Sequence, residues 1–102
     1  MSFKALDLAV ELYQECEELK LKNPVRDQLL RASLSIALNV TEGSGRTSLK
    51  DQKRFYSIAM GSTREVQCLI RIIKHKELER RYDRLGALVY GLTRIRRITE
   101  NI

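Results

Sequence analysis

Apolar residues recur every three or four positions along four stretches of this chain, and the alternation of a β-strand is found nowhere. That period places apolar side chains on one face of a helix, so the chain is constrained to an all-α fold. The first stretch carries Phe3, Leu6, Val10, Tyr13, Cys16 and Leu19. The second carries Leu29, Ala32, Ile36 and Val40, widened by Leu30, Leu34 and Leu38. The third runs through Phe55, Ile58, Ser62, Val66, Leu69 and Ile73, and the fourth through Leu78, Tyr82, Leu85, Val89, Leu92, Ile95 and Ile102.

The breaks follow local backbone chemistry. Asn23 before Pro24 reads as an N-cap followed by a proline at the first helical position. The run Gly43-Ser44-Gly45-Arg46-Thr47-Ser48 cannot comfortably continue a helix. Gly43 suits a left-handed C-cap, and Ser48 with Asp51 three residues on forms a capping-box variant. A last break is expected between Lys76 and Glu79, where neither Gly nor Pro marks it. The expected helices are therefore 3–22, 24–43, 48–76 and 78–101, in one domain spanning 1–102. Joined by short loops, they make an antiparallel up-down-up-down four-helix bundle.

A chain of 102 residues holds one core at most. Aromatics are 6% and Trp is absent, so that core must be aliphatic. The second helix is apolar over most of its girth from Leu29 to Val40, more than one bundle core needs, which predicts a subunit interface and an oligomer. Cys16 and Cys68 lie in apolar helical stretches without metal-ligand spacing and are expected to be reduced, buried thiols. Asp7 and Glu11 stand where a signal peptide needs an apolar region, and no apolar run approaches a membrane span. A soluble, cytoplasmic protein is expected.

The 19 basic and 13 acidic residues leave a net charge of +6, unevenly spread. Residues 1–22 hold three basic and five acidic side chains, a net of −2, whereas residues 71–102 hold nine and four, a net of +5. Such asymmetry fits a polyanionic partner or a charged subunit contact; a solvated helical surface is the bland alternative. Arg64, Arg71, Lys74 and Arg81 fall at helical spacing, as do Arg80 with Arg84 and Arg94 with Arg97, with Arg96 between the last two. Rows of cations at that spacing can track a phosphate backbone. No aromatic residue is interleaved in a way that suggests base stacking.

Other constellations read as structural. GSGRTS lacks the strand and the Gly-Lys-Ser/Thr of a phosphate-binding loop, and Glu42 with Arg46 could pair across the turn. His75, the only histidine, has no partner at ligand spacing and is taken as a surface residue. Ala59, Gly61 and Ser62 form a small patch that would let a neighbouring helix approach closely. No catalytic triad, paired carboxylates or metal site can be assembled, so neither enzymatic activity nor a cofactor is expected.

From Arg31 to Glu65 the chain reads RASLSIALNVTEGSGRTSLKDQKRFYSIAMGSTRE. This resembles the signature of the bacterial four-helix bundle proteins associated with intervening sequences in 23S rRNA genes. The matching positions are Arg31, Ser35, Ile36, Asn39, Glu42, Gly43, Gly45, Arg46, Ser48, Lys50, Asp51, Phe55, Ala59, Gly61, Ser62 and Glu65. Thr41 departs from the family's alanine, and the tryptophan common in its first helix is missing. The resemblance implies a ring-like homopentamer with a basic surface suited to nucleic acid. That family is similar to the accessory variability protein of diversity-generating retroelements, which works with a reverse transcriptase and its template RNA.

Two functions are thus in contention. The first is a non-catalytic, oligomeric RNA-binding or nucleic-acid-binding protein that uses Arg64, Arg71, Lys74, Arg80, Arg81, Arg84, Arg94, Arg96 and Arg97. The alternative is an adaptor whose basic face docks a reverse transcriptase and its template RNA. In both, Arg31, Asn39, Glu42, Gly43, Gly45, Arg46, Ser48, Gly61, Ser62 and Glu65 serve structure, with Arg31, Glu42, Arg46 and Glu65 in a buried polar network near the turn.

Overall fold

A computed structural model of the protein describes residues 3–95. Four helices account for most of them: α1 (Lys4–Glu17), α2 (Val25–Ser44), α3 (Leu49–Ile73) and α4 (Lys76–Thr93). No strand occurs among the described residues. Each helix packs on its two neighbours, with α4 closing back onto α1. Ser35 meets Ser62, Gly43 meets Tyr56 and Gln67 meets Tyr82, so that rising positions on one helix face falling positions on the next.

α1 is shorter than its apolar pattern predicts, ending at Glu17 rather than near Lys22. Glu15, Glu17 and Glu18 crowd negative charge onto its C-terminal end, where the helix dipole is already negative. Leu19 and Leu21 leave the helix but still pack on the core from the connection that follows. α2 begins at Val25, after a cis Asn23–Pro24 peptide, and Asn23 makes no capping bond to it.

Gly43 is not the left-handed cap. It lies inside α2, the helix closes at Gly45 with φ −89°, and no described glycine has positive φ. Gly43 is small for a different reason: a Cβ there would come within 2.7 Å of the Tyr56 ring and 3.2 Å of the Gln52 carbonyl. Ser48 caps α3 as expected, accepting from the Asp51 N–H at 3.1 Å. The unmarked break falls at Lys74–His75. Lys74 takes left-handed geometry (φ 59°), and the amides of Lys74 and His75 turn back to the carbonyls of Arg71 and Ile70. His75 then caps α4, its Nδ1 accepting from the Leu78 N–H at 3.2 Å. α4 closes at Thr93, with Arg94 as its C-cap and its amide turned back to the Gly91 carbonyl, well short of the expected end at 101; Ile102 lies outside the described residues.

The core holds Leu29, Ala32, Ile36 and Val40 of α2 and Leu78, Tyr82, Leu85 and Val89 of α4, as their spacing predicts. On α1 the buried line is Ala5, Ala9, Leu12 and Cys16, and on α3 it is Tyr56, Ala59, Thr63, Val66 and Ile70. Leu6, Val10 and Tyr13 are displaced to a shallow groove of about 300 Å³ against Leu34, Ala37 and Leu38 of α2. The apolar surplus of α2 therefore stays uncovered, with Leu38 58% exposed.

Candidate nucleic-acid interface

The outer side of α3 and the start of α4 bring one set of cations together. Arg71, Lys74 and Lys76 line a groove of about 620 Å³ with Gln67, Glu79 and Asp83. Arg64 joins through an adjoining depression of about 460 Å³ that shares Gln67 and Arg71 and adds Ile72 and Cys68, a thiol that is exposed here rather than buried as Cys16 is. Seven residues separate Arg64 from Arg71, two helical turns, so both project from one face of α3. The tight Lys74–His75 turn then swings Lys74 and Lys76 onto the same edge. Gln67 braces the floor, its amide donating to the Tyr82 carbonyl at 3.4 Å and to Asp83 Oδ1 at 3.3 Å.

Among the described residues, Arg64, Arg71 and Lys74 enter no ion pair within 4 Å, and all three are exposed. Lys76 stands 3.7 Å from Glu79. The groove and the depression beside it therefore offer three uncommitted cations along one edge, with two carboxylates on the α4 wall. Such an edge can neutralise successive phosphates; its open form and polar lining do not enclose a small apolar ligand.

The arginines of α4 are placed differently. Arg81 points toward α1 and bonds both Glu11 and Glu15, which leaves its side chain only 24% exposed. The Glu15 hydrogen bond holds its proton more tightly than an ordinary guanidinium does, against an opposing contribution from burial. Arg80 pairs with Glu77 one turn earlier, at 2.9 Å to Oε1. Arg84 is exposed beside Lys4, Asp7 and Glu11 on the α1 side. Arg94 lies 5.9 Å from the Tyr90 ring, and Arg96 and Arg97 lie outside the described residues. The acidic first helix faces the basic fourth, so part of the charge asymmetry along the chain is neutralised within the fold.

At the opposite end of α3, Arg46 bonds Glu42 at 2.5 Å, the pairing expected across the turn. Its guanidinium also lies over the Phe55 ring, 4.7 Å from the centroid, and that of Arg54 lies at 4.4 Å. Arg54 is 3.8 Å from Asp51. Asn39 donates to the Ser35 carbonyl at 2.9 Å, and Ser35 meets Ser62 at 2.8 Å, tying α2 to α3. Arg31 is exposed with Gln28, and Glu65 is exposed as well, so Arg31, Glu42, Arg46 and Glu65 do not form one buried network. Nor does Gly61 admit a neighbour: it is exposed, with nothing within 4 Å of an added Cβ. The close approach is instead at Gly86, where a Cβ would meet the Gln67 amide at 2.8 Å.

Sequence patterning missed two polar features. One is the cap made by His75. The other is a buried trio in which the Tyr82 hydroxyl meets Ser33 Oγ at 2.7 Å and Cys16 Sγ at 3.3 Å. Burial pushes both the Tyr82 phenol and the Cys16 thiol up, which keeps them protonated and suits them to packing rather than nucleophilic chemistry. Among the described residues no group of His, Cys, Asp and Glu is arranged to hold a metal ion, and no helix is long and apolar enough to cross a membrane.

Among curated proteins none matches the chain. A family model does, over residues 2–95, covering nearly all of the sequence and all four helices. The chain belongs to the 23S rRNA-intervening sequence protein family.

Proposed function

We propose that the protein is a non-catalytic, self-associating nucleic-acid-binding bundle whose natural ligand is RNA. The observation that supports this reading is the α3 edge, where Arg64, Arg71 and Lys74 stand exposed and unpaired along a groove and the depression that adjoins it. Membership of a family named for a ribosomal RNA element supports RNA over other polyanions. Arg84 and Arg94 add to the field from α4, whereas Arg80 and Arg81 are occupied by carboxylates.

Self-association is supported by the uncovered groove of Leu6, Val10, Tyr13, Leu34, Ala37 and Leu38. A ring-like homopentamer is the assembly that the family resemblance implies. Repetition of the cationic edge around a ring would convert a modest patch into a polyvalent surface.

Fluorescence anisotropy of labelled structured RNA and duplex DNA, titrated at several salt concentrations, tests the reading. Submicromolar RNA binding with a steep log–log salt dependence is expected. Absence of binding even at about 50 mM salt overturns it and makes the basic edge a protein-docking surface.

A further inference from the structure

The two ends of α3 carry cations of different kinds. Toward its C-terminus, Arg64, Arg71 and Lys74 offer bare charge. Toward its N-terminus, Arg46 and Arg54 are each matched by a carboxylate, Glu42 at 2.5 Å and Asp51 at 3.8 Å, so little net charge is left in the pair. What these two guanidiniums present is planar surface, ordered against a third plane, the Phe55 ring. Glu42 fixes Arg46, and the ring fixes both, which lowers the entropy lost when another flat group is added. Lys50 and Lys53, on the same turn of α3, enter no ion pair among the described residues and supply the local positive field. At the same end of the bundle α4 finishes with a second stack, the Arg94 guanidinium near a Tyr90 ring that is 52% exposed.

We propose that this end of the bundle, centred on Arg46, Arg54 and Phe55, is a stacking site for unpaired bases of single-stranded RNA. The inference rests on the nucleic-acid reading above and adds to it a preference for strand state. Aromatic rings and arginine planes stack bases without regard to sequence, and only bases already free of a helix can reach them. A duplex keeps its bases stacked internally and engages the protein through phosphates alone, which the other end of α3 serves. Phe55 precedes Arg71 by 16 residues, roughly 24 Å along the helix. One RNA with a helical part and an unpaired part can therefore meet both ends of α3 at once.

The test compares an unstructured single-stranded RNA carrying 2-aminopurine with a blunt duplex RNA of equal length, using the whole chain. Wild-type protein should favour the single strand and quench 2-aminopurine, as stacking does. Phe55→Leu, which keeps apolar volume, and Arg54→Lys, which keeps charge, should each weaken single-strand binding about tenfold. Both should lose quenching, with duplex affinity and the circular-dichroism melt unchanged. Equal affinity for the two RNAs, with Phe55→Leu behaving as wild type, overturns this inference and leaves the phosphate-tracking edge standing. Failure of the wild type to bind either RNA overturns both readings and points to an acidic protein partner.

Discussion

The Tyr82 hydroxyl sits 2.7 Å from Ser33 Oγ in the middle of the bundle, joining α4 to α2 through residues 49 positions apart. Cys16 of α1 approaches the same hydroxyl, so three helices share one buried polar point in an otherwise apolar layer. Breaking one partner of a buried hydrogen bond leaves the other unsatisfied, whereas removing both nearly restores balance. Tyr82→Phe and Ser33→Ala are each expected to cost about 1–2 kcal/mol in urea denaturation. The double variant should lose clearly less than the sum.

The same trio sets an alkaline limit. The Tyr82 phenol and Cys16 thiol are both pushed up by burial, so the unfolded chain releases these protons before the folded one does. Their contribution to stability is full below the ordinary thiol and phenol range, about 8.5 to 10, and falls as pH rises above it. Denaturation midpoints measured across that range should decline, and Tyr82→Phe should decline less steeply than wild type.

Two glycines of the family signature should respond oppositely to alanine. Gly43→Ala drives a Cβ into the Tyr56 ring and is expected to destabilise by about 1–3 kcal/mol. Gly61→Ala meets open space on a helix surface and should stabilise by about 0.5–1 kcal/mol. Thermal melts of the two variants decide the matter.

Lys74 holds a left-handed conformation that costs a side-chain-bearing residue about 1 kcal/mol. Lys74→Gly should therefore raise the melting temperature while weakening RNA binding. A higher melting temperature together with weaker RNA binding would separate the backbone cost at this position from the binding role proposed for its side chain.

Arg71 and Arg81 should part company in the same assay. Arg71→Ala is expected to shrink the log–log salt slope, by roughly 0.7–0.9 for each phosphate it no longer neutralises. Arg81→Ala should leave the slope nearly intact and lower stability by roughly 1 kcal/mol, because its partners are Glu11 and Glu15.

Sequence periodicity located α2 and α4 well because their core residues are large and evenly spaced, as with Ile36 and Leu85. It misphased α1 because that helix buries Ala5 and Ala9, small residues that let its backbone come close, and leaves the bulkier Leu6 only partly buried at the core's margin and Val10 exposed. On α3 the neighbours Phe55 and Tyr56 are both large aromatics, and the more polar of the two is the one buried, its ring packed against Gly43. The exposed cations were legible at Arg64, Arg71 and Lys74, since helical spacing alone aligns the two arginines. The fate of Arg81 was not: its partners lie 66 and 70 residues away, and no local pattern links them. The stack of Arg46 on Phe55 was hidden for the same reason, since it forms across a turn whose path composition does not fix.

The pairing of Arg81 with Glu11 and Glu15 also polarises the molecule across its width. One flank, between α1 and α4, has its charges internally matched, and the flank along α3 does not. A bundle with that cross-section feels a torque in the field of a polyanion and is turned toward it before the two touch. Capture should then be fast in dilute salt and slow markedly as salt is added, because the alignment happens at a distance and is the first thing screening removes.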